Sequence, residues 1–124
     1  MNTYNDSNIF ARILRGEIPC DKVYDDGHVL AFRDIHPQAP VHILVIPKGK
    51  YIDVADFGAK ASPEEITAFW RAVSKIAANN GLPGNGFRLI ANTGLNGGQE
   101  VPHFHVHILG GKSLGPMLAK VAQN

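Results

Sequence analysis

The sequence predicts an α+β fold, a five-stranded antiparallel sheet with two helices lying on one side of it. Three features point there. Five short segments carry the β-branched and aromatic residues favoured in strands, and turn residues separate them. Asp26-Gly27 stands between the first two, where a tight hairpin calls for residues that tolerate positive φ. Only one long amphipathic helix follows, too few crossovers for a parallel sheet.

The first element, "DSNIFARILRG", reads as a short helix. Asp6 or Ser7 caps it, Ile9, Phe10, Ile13 and Leu14 form its apolar stripe, and Gly16 ends it. "CDKVYDDGHVLAFRDI" reads as the hairpin, and "HPQAP" as a loop punctuated by Pro37 and Pro40. "VHILVIPK" is an apolar run of strand length stopped by Pro47. Residues 49–61 read as loop with at most one helical turn. "SPEEITAFWRAVSKIAANNG" is the strongest helix signal. Ser62 and Glu65 form a capping box with Pro63 at the first helical position, and Ile66, Phe69, Trp70, Val73 and Ile76 keep the helical period. "GFRLIAN" and "HFHVHILGG" are the last two strands, joined by the polar, glycine-rich loop "TGLNGGQEVP".

The 124 residues fit one domain, residues 1–124, with a C-terminal tail from about residue 112. A net charge of +1 and 19% charged residues argue against nucleic acid or a membrane surface as the main partner. No apolar run approaches the ~18 residues of a membrane span. The single cysteine, Cys20, can form neither an internal disulfide nor a paired-thiol zinc motif. The N-terminus "MNTYNDSNIF" lacks the basic and apolar regions of a signal peptide, so a cytoplasmic protein is expected.

Half of the six histidines fall within "HFHVH". On a strand His103, His105 and His107 share one face, and Phe104, Val106 and Ile108 share the other, against the core. Neighbouring histidines then lie about 6.6–6.8 Å apart along a regular strand. Zinc–nitrogen bonds of about 2.0–2.1 Å let two of the three converge on one ion, all three only with severe distortion. A solvated sheet face and a metal site therefore stand as alternatives to catalysis. The loop weighs toward catalysis: Gly94, Gly97 and Gly98 let backbone N–H groups close on an anion beside the imidazoles. A neutral imidazole can attack phosphorus, with neighbouring donors meeting the charge on the phosphoryl oxygens.

"HFHVHIL" resembles the histidine triad (HIT) signature, three histidines alternating with apolar residues. The likeness extends to "IFARILRGEIP", "LAFRDIHPQAPVHILVIPK", "GFRLIANTGLNGGQEVPHFHVHILGG" and "SLGPMLA", so almost the whole chain is similar to the Hint branch of that superfamily. The resemblance implies a homodimer whose two sheets join into one. It implies a nucleotide-binding hydrolase that cleaves purine nucleoside phosphoramidates, of the adenosine monophosphoramidate type, and related acyl-adenylates. The expected route is a covalent nucleotidyl-histidine, with no cofactor or required metal, and the expected ligand is a purine nucleotide resembling AMP or GMP. His105 matches the nucleophile, His107 the donor to the phosphoryl oxygens and leaving group, and His103 and His42 the supporting histidines. Asp34 matches the carboxylate that holds the ribose hydroxyls. Phe10, Phe32, Ile35 and Leu44 match the base pocket, and Asn92, Gly98, Gln99 and Val101 the phosphate-side contacts.

The chain departs from the pattern at three positions. Pro102 stands where an aromatic residue is common, Glu100 where some members place serine, and Arg33 where some place histidine. Within the superfamily a dinucleoside polyphosphate hydrolase is the alternative activity. A nucleotide-binding adaptor with little turnover is the alternative outside enzymes.

Overall fold

The computed structural model describes residues 3–119. In chain order it contains α1 (Ile9–Leu14), β1 (Lys22–Asp25), β2 (Val29–Arg33), β3 (Val41–Pro47), α2 (Val54–Lys60), α3 (Pro63–Asn79), β4 (Phe87–Ile90), α4 (Gly94–Gly97) and β5 (Val106–Gly110). The five strands form one antiparallel sheet in the order β1-β2-β3-β5-β4. The sheet is the predicted one. The helices number four among the described residues where the sequence reading expected two.

Both additional helices fall in stretches read as loop. Asp53 caps α2 by accepting from the Asp56 backbone N–H at 2.9 Å, and Asp56 pairs with Lys60 one turn on. Phe57 is the one buried residue of that helix, so no apolar stripe marks it in the sequence. α4 is a single turn of Gly-Leu-Asn-Gly with nothing buried, closed by Gly98 at φ 72°. That left-handed conformation suits glycine alone at little cost.

Local chemistry also differs at two turns. α1 is capped by Asn8, not by Asp6 or Ser7, and the Asn8 side chain accepts from Ala11 N–H at 2.9 Å. In the first hairpin Gly27 does not take positive φ. Asp26 makes the turn instead, its Oδ1 accepting from the backbone of His28 at 2.7 Å and Val29 at 2.8 Å. The predicted capping box of α3 is present, with the Ser62 and Glu65 side chains each bonded to the other's backbone.

Alternation along the strands divides the core in two. Ile43, Val45, Val106 and Ile108 face α2 and α3 and pack with Phe57, Phe69, Val73 and Ile76. Leu30, Phe32, Leu44 and Ile46 face the other way and are covered by Phe10 of α1. The helices are thus not confined to one side. At six residues α1 is too short to cover this second face, and the sheet beyond it stays open. No helix among the described residues is long and apolar enough to cross a membrane. From Gly111 to residue 119 the tail carries no helix or strand, and its last five residues lie outside the described ones.

Candidate active site

The open part of the second face carries the histidines. Leu44 pairs with His107 and His42 with Leu109, so His42 and His107 are diagonal neighbours on two interior strands. Their rings meet with His42 Nε2 2.9 Å from His107 Nδ1. The last strand starts at Val106 and not at His103, so the three histidines do not stand in one regular ladder. Phe104 N–H donates to Tyr51 O at 2.7 Å instead, and Phe104 still points into the α3-side core. His103 and His105 therefore keep the opposite facing. Neither lies on an exposed sheet face: His103 is 0% and His105 7% exposed.

Hydrogen bonds to groups that can only accept, or only donate, assign the ring tautomers. His105 Nδ1 lies 2.7 Å from the carbonyl of His103, so Nδ1 carries the proton and Nε2 keeps a lone pair. Gln38 N–H donates to His42 Nδ1 at 3.1 Å, so the His42 proton is on Nε2. That N–H is directed at His107 Nδ1, which leaves the His107 proton on Nε2. Adjacent rings, 5.2 Å apart between centroids, thus offer opposite functions: a nucleophilic nitrogen on His105 and a donor on His107.

Burial favours the neutral form of His103, His105 and His107. Desolvation pushes His103 down to about 4, against a weaker opposing effect of its bond to Pro47. Desolvation likewise brings His107 to about 4, helped by the neighbouring His105 and His42. His105 is lowered by burial too, but its bond to the His103 carbonyl and the charges of Asp34 and Glu100 pull the other way. Neutral, desolvated imidazole is the form that attacks an electrophile.

A cavity of about 400 Å³ opens onto both rings, a size suited to a small ligand. Phe10 closes one side, its ring edge-on to His105 at 4.9 Å. Asp34 stands on another, fixed by its Oδ1 accepting from His36 N–H at 2.8 Å and by its own N–H donating to His42 O at 3.0 Å. The glycine-rich loop forms the rim, where Asn92 Nδ2 donates to Gly97 O at 2.6 Å.

Residues 15–114 match the family model of the HIT domain. The chain belongs to the HIT domain family. It is 54% identical to a 13.2 kDa HIT-like protein of Azospirillum brasilense over 95% of this chain and 97% of that one. It is 49% identical to the purine nucleoside phosphoramidase of Escherichia coli K12, over 92% and 95% respectively. A HIT family hydrolase from Clostridium thermocellum superposes with a TM-score of 0.83 at 36% identity, over 93% of this chain and 99% of that one.

Of the residues that the HIT resemblance nominated, the cavity brings together His42, His105, His107, Asp34, Phe10, Leu44, Asn92, Gly98 and Val101. Four stand apart from its lining. His103 lies behind His105, and Phe32 lies behind Phe10. Ile35 turns outward and is 83% exposed. Gln99 is a brace: its Oε1 accepts from Gly94 N–H, and its Nε2 donates to Ile52 O and Val101 O. The lining also includes His36, Gln38, Ile90, Glu100 and Leu109, none of which the sequence reading assigned to the site. An alternate-position rule extended from His42 and His107 along β4 and β5 would have found Ile90 and Leu109. Arg33 points elsewhere, pairing with Asp21 at 3.4 Å.

The HIT site also holds a set of metal-competent atoms. One ligand atom each from Asp34, His42 and His107 lies within 4.8 Å of the others. A cation bound there would have to displace the proton between His42 and His107. It would also need a fourth ligand for a tetrahedral zinc site.

Proposed function

We propose that this HIT protein hydrolyses purine nucleoside phosphoramidates, and related acyl-adenylates, through a nucleotidyl-histidine intermediate and without a metal. The observation that carries the reading is the opposed pair of tautomers on His105 and His107. His105 Nε2 attacks phosphorus and the bond to the leaving nitrogen breaks. The amine takes up a proton through His107 Nε2, which is replenished from solvent. Water then attacks phosphorus, the P–Nε2 bond breaks with its electron pair returning to His105, and the water's proton passes to solvent, balancing the one taken up in the first step. Asp34 is proposed to accept from both ribose hydroxyls, and Phe10 and Leu44 to flank the base. The high identity to the Escherichia coli phosphoramidase supports the substrate class.

The test is turnover of adenosine monophosphoramidate with EDTA present, by wild type and by His105→Ala. Wild type should turn over and the variant should bind AMP without turnover. A variant with near wild-type kcat would refute the covalent step. Comparison with diadenosine polyphosphate separates this activity from the other HIT branch, and binding without amine release would indicate an adaptor.

The homodimer and a cytoplasmic location belong to the same proposal. β4 is an edge strand with Phe87 and Leu89 about two-fifths exposed, and Trp70 of α3 is 43% exposed. An edge of this kind is a template for strand pairing with a second copy. Light scattering that returns the 13.4 kDa of one chain at every concentration would exclude the dimer. The lone Cys20 thiol is what supports a reducing compartment.

A further inference from the structure

We propose that Tyr4 is a positioning residue for the reacting imidazole, acting through the buried ring of His103. The inference rests on His105 being the nucleophile.

His103 is wholly buried, and both its ring nitrogens are engaged. Nε2 lies 2.8 Å from the carbonyl of Pro47, which can only accept, so Nε2 carries the proton. Nδ1 is then a bare lone pair and needs a donor. The Tyr4 hydroxyl, 2.7 Å away, supplies it from a point 99 residues distant in the chain. The phenol meets the imidazole edge-on, with ring centroids 5.7 Å apart. The ring is thus pinned at both ends, to β3 through Pro47 and to the N-terminal segment through Tyr4.

This ring belongs to the residue whose carbonyl fixes the proton of His105 on Nδ1, at 2.7 Å. The two ring anchors fix the position of the whole residue; a backbone shift at His103 on losing one of them would draw its carbonyl off His105 Nδ1 and free His105 to place its proton on Nε2, where it blocks attack. The anchor is itself held. Lys50 pairs with Asp6 at 2.8 Å, Arg15 donates to Asp6 O, and Asn8 donates to Asn5 O. Tyr4 lies before residues 15–114, the stretch matched to the family model.

The phenylalanine substitution removes one hydroxyl and keeps the ring. A buried imidazole nitrogen left without a donor loses the bond that offsets its desolvation, which loosens His103 from its single orientation. With adenosine monophosphoramidate as substrate, Tyr4→Phe should lower kcat about tenfold and leave KM within about twofold, as expected for misplacement of a reacting group and not for lost binding. Long-range proton–nitrogen correlation spectra of the histidine rings provide the second readout. Wild type should show one tautomer each, with Nε2–H on His103 and Nδ1–H on His105. Tyr4→Phe should show averaged nitrogen signals at both.

Unchanged kcat and unchanged His105 signals in Tyr4→Phe, even with a lowered Tm, would overturn the proposal and leave Tyr4 a structural contact. If that variant does not fold, the wild-type spectrum still decides: an Nδ1–H on His103 would be incompatible with a donated Tyr4 hydrogen bond. Absence of wild-type turnover would instead refute the substrate assignment, and the spectra would still judge the role of Tyr4.

Discussion

His42 holds its Nε2 proton 2.9 Å from His107 Nδ1, and so decides which nitrogen of His107 can donate to a ligand. Removing that bond should affect the departure of the amine more than its binding. His42→Ala is expected to reduce kcat by about ten- to a hundredfold, since general acid–base catalysis contributes roughly 10²–10⁴-fold and only its orientation is lost. The loss should be largest for the most basic leaving amines. A series of phosphoramidates with graded amine pKa checks this, and equal slowing across the series would remove His42 from that role.

Asp34 presents a carboxylate to the cavity beside His42, 3.5 Å from its Nε2. Asp34→Asn should weaken binding of AMP more than of its 2′-deoxy analogue. A charge-assisted bond is roughly twice as strong as a neutral one, and the deoxy sugar has one hydroxyl fewer to lose. Titration calorimetry with both nucleotides measures the difference, and identical losses would place the ribose elsewhere.

Activity should fall on the acid side as His105 takes up a proton. Burial places that titration below the usual 6.5 of imidazole, while the negative charges of Asp34 and Glu100 hold it up. Glu100→Gln removes one of those charges, so the acid limb of kcat/KM should move to lower pH. A limb that stays in place, or moves toward neutrality, would contradict the field assigned to Glu100.

Stability should share an acid sensitivity of its own. His103 is neutral in the fold down to about 4 but titrates at its usual 6.5 when unfolded. The unfolded chain therefore binds the extra proton first, and stability that is complete above 6.5 is lost as pH falls toward 4. His103 alone accounts for a loss on the order of 3 kcal/mol. The carboxylates of Asp25 and Asp56, held low by Lys48 and by the Ile52 N–H, lose their contribution only in the more acid range below 3.8. Denaturant midpoints that stay level between pH 6.5 and 4.5 would count against a buried neutral His103.

The sequence made the sheet and the long helix legible because both obey a single periodicity. The capping box at Ser62 and Glu65 and the alternation of Phe104, Val106 and Ile108 with the histidines needed no tertiary information. α2 and α4 hid for the opposite reason. They are fixed by caps and by a left-handed glycine, with almost no apolar face to announce them.

At the site, residues on regular strands could be placed by facing, and residues on loops could not. His36 and Gln38 enter through the bend of "HPQAP", where side-chain direction follows from turn geometry and not from spacing. Ile35, adjacent in sequence to Asp34, turns to solvent for the same reason. The partner of His103 was invisible because 99 residues separate it from Tyr4.

β3 and β5, which carry His42 and His107, each have a hydrogen-bonded neighbour on both sides. Their amide protons can exchange with deuterium only when the sheet itself comes apart, whereas those of the single-turn α4 at the rim exchange through local opening. Heat should therefore not strip this protein of its reacting pair while the rest stays folded. Loss of the two imidazoles' geometry and collapse of the whole sheet would register as one calorimetric event, with the rim already exchanging well below that temperature.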